Sequence, residues 1–142
     1  MERLNKYFEK RKDYGAIFLR LVIGWRLIAG VLAYAIQSKP ISEVSGYFTE
    51  LKLPVPVAGA YLSVYAQFIC GILFVIGLWV RPAAIVMVIN FTIAILAAHL
   101  HDSVEKSFAA WVLLGASLFF LFNGAGKISI DSTNANTSLK NY

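Results

Sequence analysis

Apolar residues fall into four runs separated by short polar breaks, at about 14–36, 57–79, 83–100 and 107–123. The first, Tyr14–Ile36, would make a helix of roughly 34 Å at 1.5 Å per residue, enough to cross a hydrocarbon core of about 30 Å. The break between the second and third runs is too short for anything but an antiparallel hairpin. The pattern predicts an all-α membrane protein, an antiparallel four-transmembrane-helix bundle whose membrane domain covers residues 14–131. The exception within the pattern is that the first run carries two arginines, Arg20 and Arg26, which stay charged and are costly in lipid.

The breaks have their own patterns. Between the first two runs, Ile41, Val44, Tyr47, Phe48 and Leu51 recur at helical spacing, which predicts a short amphipathic helix in the first outer loop. Leu53-Pro54-Val55-Pro56 resists helix and should end it. Trp79-Val80-Arg81-Pro82 joins runs two and three tightly enough to force a hairpin, with Pro82 in the first turn of the third helix. Asn123-Gly124-Ala125-Gly126 offers glycines for a left-handed stop after the fourth. Residues 1–13 form a basic lead-in with Leu4, Tyr7, Phe8 and Arg11 at helical spacing, either a helix lying on an anionic leaflet or a simple charged anchor. The tail, 132–142, is polar and is expected to be disordered.

Composition agrees with this layout. The 142 residues are 58% hydrophobic and 15% charged, with a mean hydropathy of +0.66, where a soluble domain carries nearer a quarter charged residues. The net charge of +5 is not a nucleic-acid footprint, because its distribution follows topology. Arg3, Lys6, Lys10, Arg11, Lys12, Arg81, Lys127 and Lys140 fall on one side of the predicted bundle. Only Lys39, Lys52 and Lys106 fall on the other, so both termini are expected in the cytoplasm. Ala33-Tyr34-Ala35 has the form of a signal-peptidase site, but Arg26 interrupts the apolar region such a signal needs, and the first helix is retained. The single Cys70 can form neither an internal disulfide nor a redox pair, and reads as a small core residue.

Rough depths at 1.5 Å per residue place Arg20 about 9 Å in, Arg26 and Gln67 about 18 Å in, and Asn90 about 12 Å in. Each polar group sits in a stripe of small or polar neighbours at helical spacing. These are Arg26-Gly30-Ala33-Gln37, Ala60-Ser63-Gln67-Gly71 and Asn90-Ala94-Ala97-His101. The expectation is that Arg26, Gln67 and Asn90 meet in the interior, either as a ligand-binding polar cavity or as a structural hydrogen-bond cluster. No acidic residue lies inside the runs, so the charge of Arg26 must be met by carbonyls and amides, by water, or by an anion from outside the chain. Arg20, nearer the inner surface, is expected to form a structural ion pair with Asp131. At the outer rim, His99, His101, Asp102 and Glu105 have i,i+3 and i,i+4 spacings, but the pattern is no specific metal signature, and His99 and His101 are weak metal candidates only.

Beyond these features the chain resembles the DoxX family of small four-helix bacterial membrane proteins. The resemblance is carried by Phe18-Leu19-Arg20-Leu21 with Gly24, Tyr65-Ala66-Gln67-Phe68 with Gly71, Gly77-Leu78 before Arg81-Pro82-Ala83, and His99. The ending Gly124-Ala125-Gly126-Lys127-Ile128-Ser129-Ile130-Asp131 is similar to the family's G-x-G-[KR]-x-S-[LI]-D close. The resemblance implies a multi-pass protein of the bacterial inner membrane and links to membrane redox complexes, including thiosulfate–quinone oxidoreductases. The sequence has no catalytic motif and no site for flavin, haem or iron–sulfur, so it is not expected to act alone as an enzyme or to carry an intrinsic cofactor. The leading expectation is an accessory subunit that holds a quinone-like amphipathic molecule, or a bound lipid, for a redox partner protein. The alternative is a non-enzymatic assembly or scaffold protein. A permease ranks below both, because the spans lack the carboxylates and broken helices that mark coupling sites.

Overall fold

In the computed structural model, residues 12–99, 104–126 and 129–131 are described. They form five α-helices: α1 (Lys12–Ala35), α2 (Ser42–Glu50), α3 (Pro56–Ile76), α4 (Val80–Ala94), which continues into a π-helical turn at Ile95–His99, and α5 (Val104–Asn123). There is no strand among the described residues. Tyr14–Ala35, Pro56–Ile76 and Val80–Ala97 are long and apolar enough to cross a membrane, and Ser107–Asn123 is a shorter apolar helix.

Spacing decides which face of α1 packs. Ala16, Arg20, Ile23, Gly24, Leu27 and Val31 are buried and recur three or four residues apart, making one stripe. That stripe lies along α3, and the two backbones approach closely where Gly24 meets Gly71. A Cβ at Gly24 would stand 2.8 Å from the Gly71 carbonyl oxygen, and one at Gly71 would stand 2.9 Å from that of Gly24. Lipid offers no hydrophobic drive for helix pairing, so such close backbone packing supplies much of the attraction. α4 packs along α5, α3 lies beside α4, and α1 touches α5 only slightly. Phe74 and Phe120, both fully buried, meet at 5.0 Å between ring centres with Leu27, Val80 and Met87 in the same core.

The turn between α3 and α4 comes earlier than the sequence suggests. The third helix was expected to start at about 83, after a break at 79–82, but α3 ends at Ile76 and α4 begins at Val80. Gly77 takes a left-handed φ of 73°, and the N–H groups of Gly77 and Leu78 both donate to the Leu73 carbonyl, closing the helix end. The Asp131 carboxylate then accepts the N–H of Trp79 (2.8 Å) and of Val80 (3.0 Å), which starts α4 before the proline. Pro82 still falls in the first turn, as expected. The glycine stop after α5 is also as read, with Gly124 at φ 72° and Gly126 at φ 79°.

The helix predicted for the first long loop is present as α2, and it docks on the N-terminal end of α3. Phe48 lies over Gly59, where a Cβ would come within 3.3 Å of the ring, and Ile41 is buried. The Tyr34 hydroxyl at the end of α1 donates to Glu43 at 3.1 Å. The basic lead-in up to residue 11, the loop holding His101 and Asp102, and the tail from 132 lie outside the described residues. Only the backbone of His99 is described, so the weak metal pair lies outside as well.

Candidate functional site

Gln67, Ser63 and Asn90 meet on one seam, between α3 and α4. Gln67 Nε2 donates to Ser63 Oγ (3.1 Å), and Ser63 Oγ donates to Asn90 Oδ1 (2.9 Å). A directed relay results: the hydroxyl of Ser63 accepts once and donates once, and the carbonyl oxygen of Asn90 is committed. The amino group of Asn90 has no partner among the described residues. Ser63 stands one helical turn before Gln67, so the α3 stripe read from the sequence does place these groups on one face.

Ser63 and Asn90 line a groove of about 380 Å³ bounded by the three elements at this end of the molecule. Tyr47 and Phe48 of α2, with Leu51 just after it, form its roof, Gly59, Leu62 and Ala66 one wall, and Val86, Ile89, Ile93 and Ala94 the other. Ala97, in the π-helical turn, closes the outer part of that wall. The α4 stripe Asn90-Ala94-Ala97 thus lines the groove as a unit. The lining is almost wholly apolar, with the relay as its polar point, and small residues on both walls leave the volume open. Its size is within the range of roughly 300–1,000 Å³ typical of small-molecule sites.

Arg26 does not join this cluster. It is exposed on α1, on a face away from α3, and a Cβ at Gly30 would come within 2.6 Å of its Nη1. The expected meeting of Arg26 with Gln67 and Asn90 is therefore replaced by a relay through Ser63. The reason is the helical phase: the close Gly24–Gly71 crossing turns Ile23, Leu27 and Val31 inward, and Arg26 is about a third of a turn off that stripe.

Arg20 is the buried arginine, with only 4% of its surface exposed. Its Nε donates to the Phe74 carbonyl (3.0 Å) and its Nη1 to the Ala125 carbonyl (2.6 Å), the unsatisfied ends of α3 and of the segment after α5. The guanidinium lies flat on Gly77, where a Cβ would be 2.7 Å from its carbon and both terminal nitrogens. Asp131 approaches the same turn from the other side, its N–H donating to the Gly77 carbonyl at 3.2 Å, and it attracts the arginine coulombically. This clasp at the C-terminal end of α3 needs no ligand. No cluster of three or more metal-ligating side chains occurs among the described residues.

One family model, DoxX, matches residues 15–100, more than half of the chain. The chain belongs to the DoxX family. The match covers α1 to α4 and so includes Arg20, Gly24, Ser63, Gln67, Gly71, Gly77 and Asn90, that is, the relay, the glycine crossing and the arginine of the clasp. The Asp131 and Ala125 ends of the clasp lie beyond it. No curated protein and no solved structure matches the chain.

Two features of the groove in this DoxX protein were out of reach of sequence patterning. The roof requires α2 to fold back on α3, a long-range contact whose one local signal is Gly59 standing where a ring can lie. The π-helical turn has no sequence signal in this chain, yet it sets the position of Ala97.

Proposed function

We propose that this DoxX protein holds a small amphipathic molecule in the groove between α2, α3 and α4. The observation that carries the reading is the groove itself: an apolar trough with one polar point, the Ser63–Asn90 relay, and a donor left over on Asn90. Such a site favours a ligand with an apolar body and a hydrogen-bond acceptor, such as a carbonyl oxygen, at its head. A quinone-like molecule has this form, and the narrower reading is that the protein presents one to a redox partner in the bacterial inner membrane. The aliphatic and aromatic walls hold the body, Asn90 meets the head, and Gln67 fixes Asn90 through Ser63. In this reading the apolar helices form an antiparallel four-helix bundle with both termini cytoplasmic, and the groove opens in its outer half.

Purification in mild detergent followed by solvent extraction and mass spectrometry tests the site. The unaltered protein should yield one amphipathic species in stoichiometric amount. Ala94→Phe, which fills the groove, and Asn90→Leu, which removes the donor, should each lose at least nine-tenths of it without loss of helix content. Retention in both variants, or recovery only of bulk phospholipid in membrane proportions, would remove the groove as a binding site. A recovered species that is stoichiometric but not reducible would remove the redox reading and leave the site.

A further inference from the structure

Arg26 is a charged group in the middle of a span that neither the clasp nor the groove uses. It stands roughly 18 Å along the axis from Tyr14 and 14 Å from Ala35, in the middle of a helix long and apolar enough to span. It makes no hydrogen bond or ion pair among the described residues. Its guanidinium lies over Gly30, one turn further along, in space that any side chain there would occupy. Even at that level it is about 8 Å short of the outer end of α1, too deep for direct contact with lipid phosphates. A guanidinium remains charged at this depth, so it requires an anionic or strongly polar partner.

The surrounding surface has the form of a helix-docking face. Ala29 and Gly30 are exposed and Ala33 is half-buried, so the turns of α1 after Arg26 carry little bulk besides the guanidinium itself, and another helix can approach closely there. Among the described residues no element packs on that face: α1 packs on α3 through the stripe of Ile23, Leu27 and Val31 and touches α5 only slightly. A second copy would not satisfy the charge, because no span of this chain contains an aspartate or glutamate. We infer that the Arg26 face of α1 docks a transmembrane helix of a different protein, one that carries a carboxylate at mid-membrane. The planar fork of arginine takes a carboxylate in two parallel hydrogen bonds, and each charge removes the other's cost in lipid.

The inference is testable with a defined probe. The full chain with a fluorescent protein at its C terminus is reconstituted in phosphatidylcholine vesicles, and energy transfer to labelled synthetic helices is measured. The helices are leucine–alanine spans that differ only in a central Glu or Leu. The Glu helix should associate roughly tenfold more strongly than the Leu helix, as one charge-assisted contact in lipid would give. Arg26→Leu should abolish that preference while the thermal melt stays within a few degrees, because the side chain is exposed. Gly30→Leu, which keeps the charge and fills the slot, should weaken binding of the Glu helix several-fold. Equal binding of the two helices by the unaltered chain overturns the inference, and that comparison depends on no variant. So does a preference that survives Arg26→Leu, an Arg26-dependent enrichment of phosphatidylglycerol with no preference for the Glu helix, or Arg26-dependent self-association.

Discussion

Arg20 and Asp131 show how two charges can stabilise a turn through its backbone. Arg20 holds the Phe74 and Ala125 carbonyls, Asp131 holds the Trp79 and Val80 N–H groups, and Gly77 is pressed between them. Removing Arg20 strands buried carbonyls at about 1–3 kcal/mol each. Removing Asp131 uncaps α4 at about 0.5–2 kcal/mol. Arg20→Ala and Asp131→Ala should therefore each lower the melting temperature in detergent, and the double variant should lose clearly less than the sum. Strict additivity would mean that the two residues act on separate structures. Asp131→Asn should recover part of the loss, since one amide oxygen still accepts an N–H. That both residues fall at the same end of the apolar runs was legible from their positions in the chain. The carbonyl and N–H partners were not, because they depend on where α3 stops.

At the scale of elements, the crossing of α1 and α3 rests on two glycines whose hydrogens face each other's carbonyls. A methyl group at either one would stand under 3 Å from a backbone oxygen, which cannot swing aside as a side chain can. Gly24→Ala and Gly71→Ala should each cost about 1–3 kcal/mol by forcing the helices apart, read as a fall in the detergent melting temperature. Gly15→Ala is the control. It sits in the same helix with nothing within 4 Å, so it should be neutral or stabilising by up to about 1 kcal/mol. If all three changes proved alike, the close approach would not be what holds α1 to α3. The contact between α2 and α3 is instead a side chain on a glycine, with the Phe48 ring lying on Gly59, and Phe48→Ala should release the roof and the groove ligand together.

At the scale of the whole molecule the charge distribution predicts the orientation. The basic residues that flank the apolar runs gather at the ends carrying Arg81 and the two termini, which the positive-inside rule assigns to the cytoplasm. A reporter active only outside the cytoplasm should be silent when fused after Ser132 and active when inserted near Ser45. The reverse pattern would invert the molecule and place the groove in the inner half of the membrane. The Arg26 face would stay at mid-membrane under either orientation, so the reporter and the docking measurement are independent.

The sequence alone determined the number of apolar segments, the helix in the first outer loop, the glycine stop after α5 and the pairing of small residues with polar ones along α3 and α4. These are local or periodic properties, set by hydropathy, helical spacing and backbone freedom within a few residues. It also located Gln67, Asn90, Arg20 and Asp131 as residues needing partners. Which partners they took depended on helix phase. The Gly24–Gly71 contact rotates α1 so that Arg20 faces in and Arg26 faces out, and a helix is symmetric enough in sequence that neither choice shows before packing. The groove was decided later still, by the folding of α2 onto Gly59 and by a π-helical turn at Ile95–His99. Both are tertiary choices, because the roof and the walls of the groove come from segments that meet only once the helices have packed.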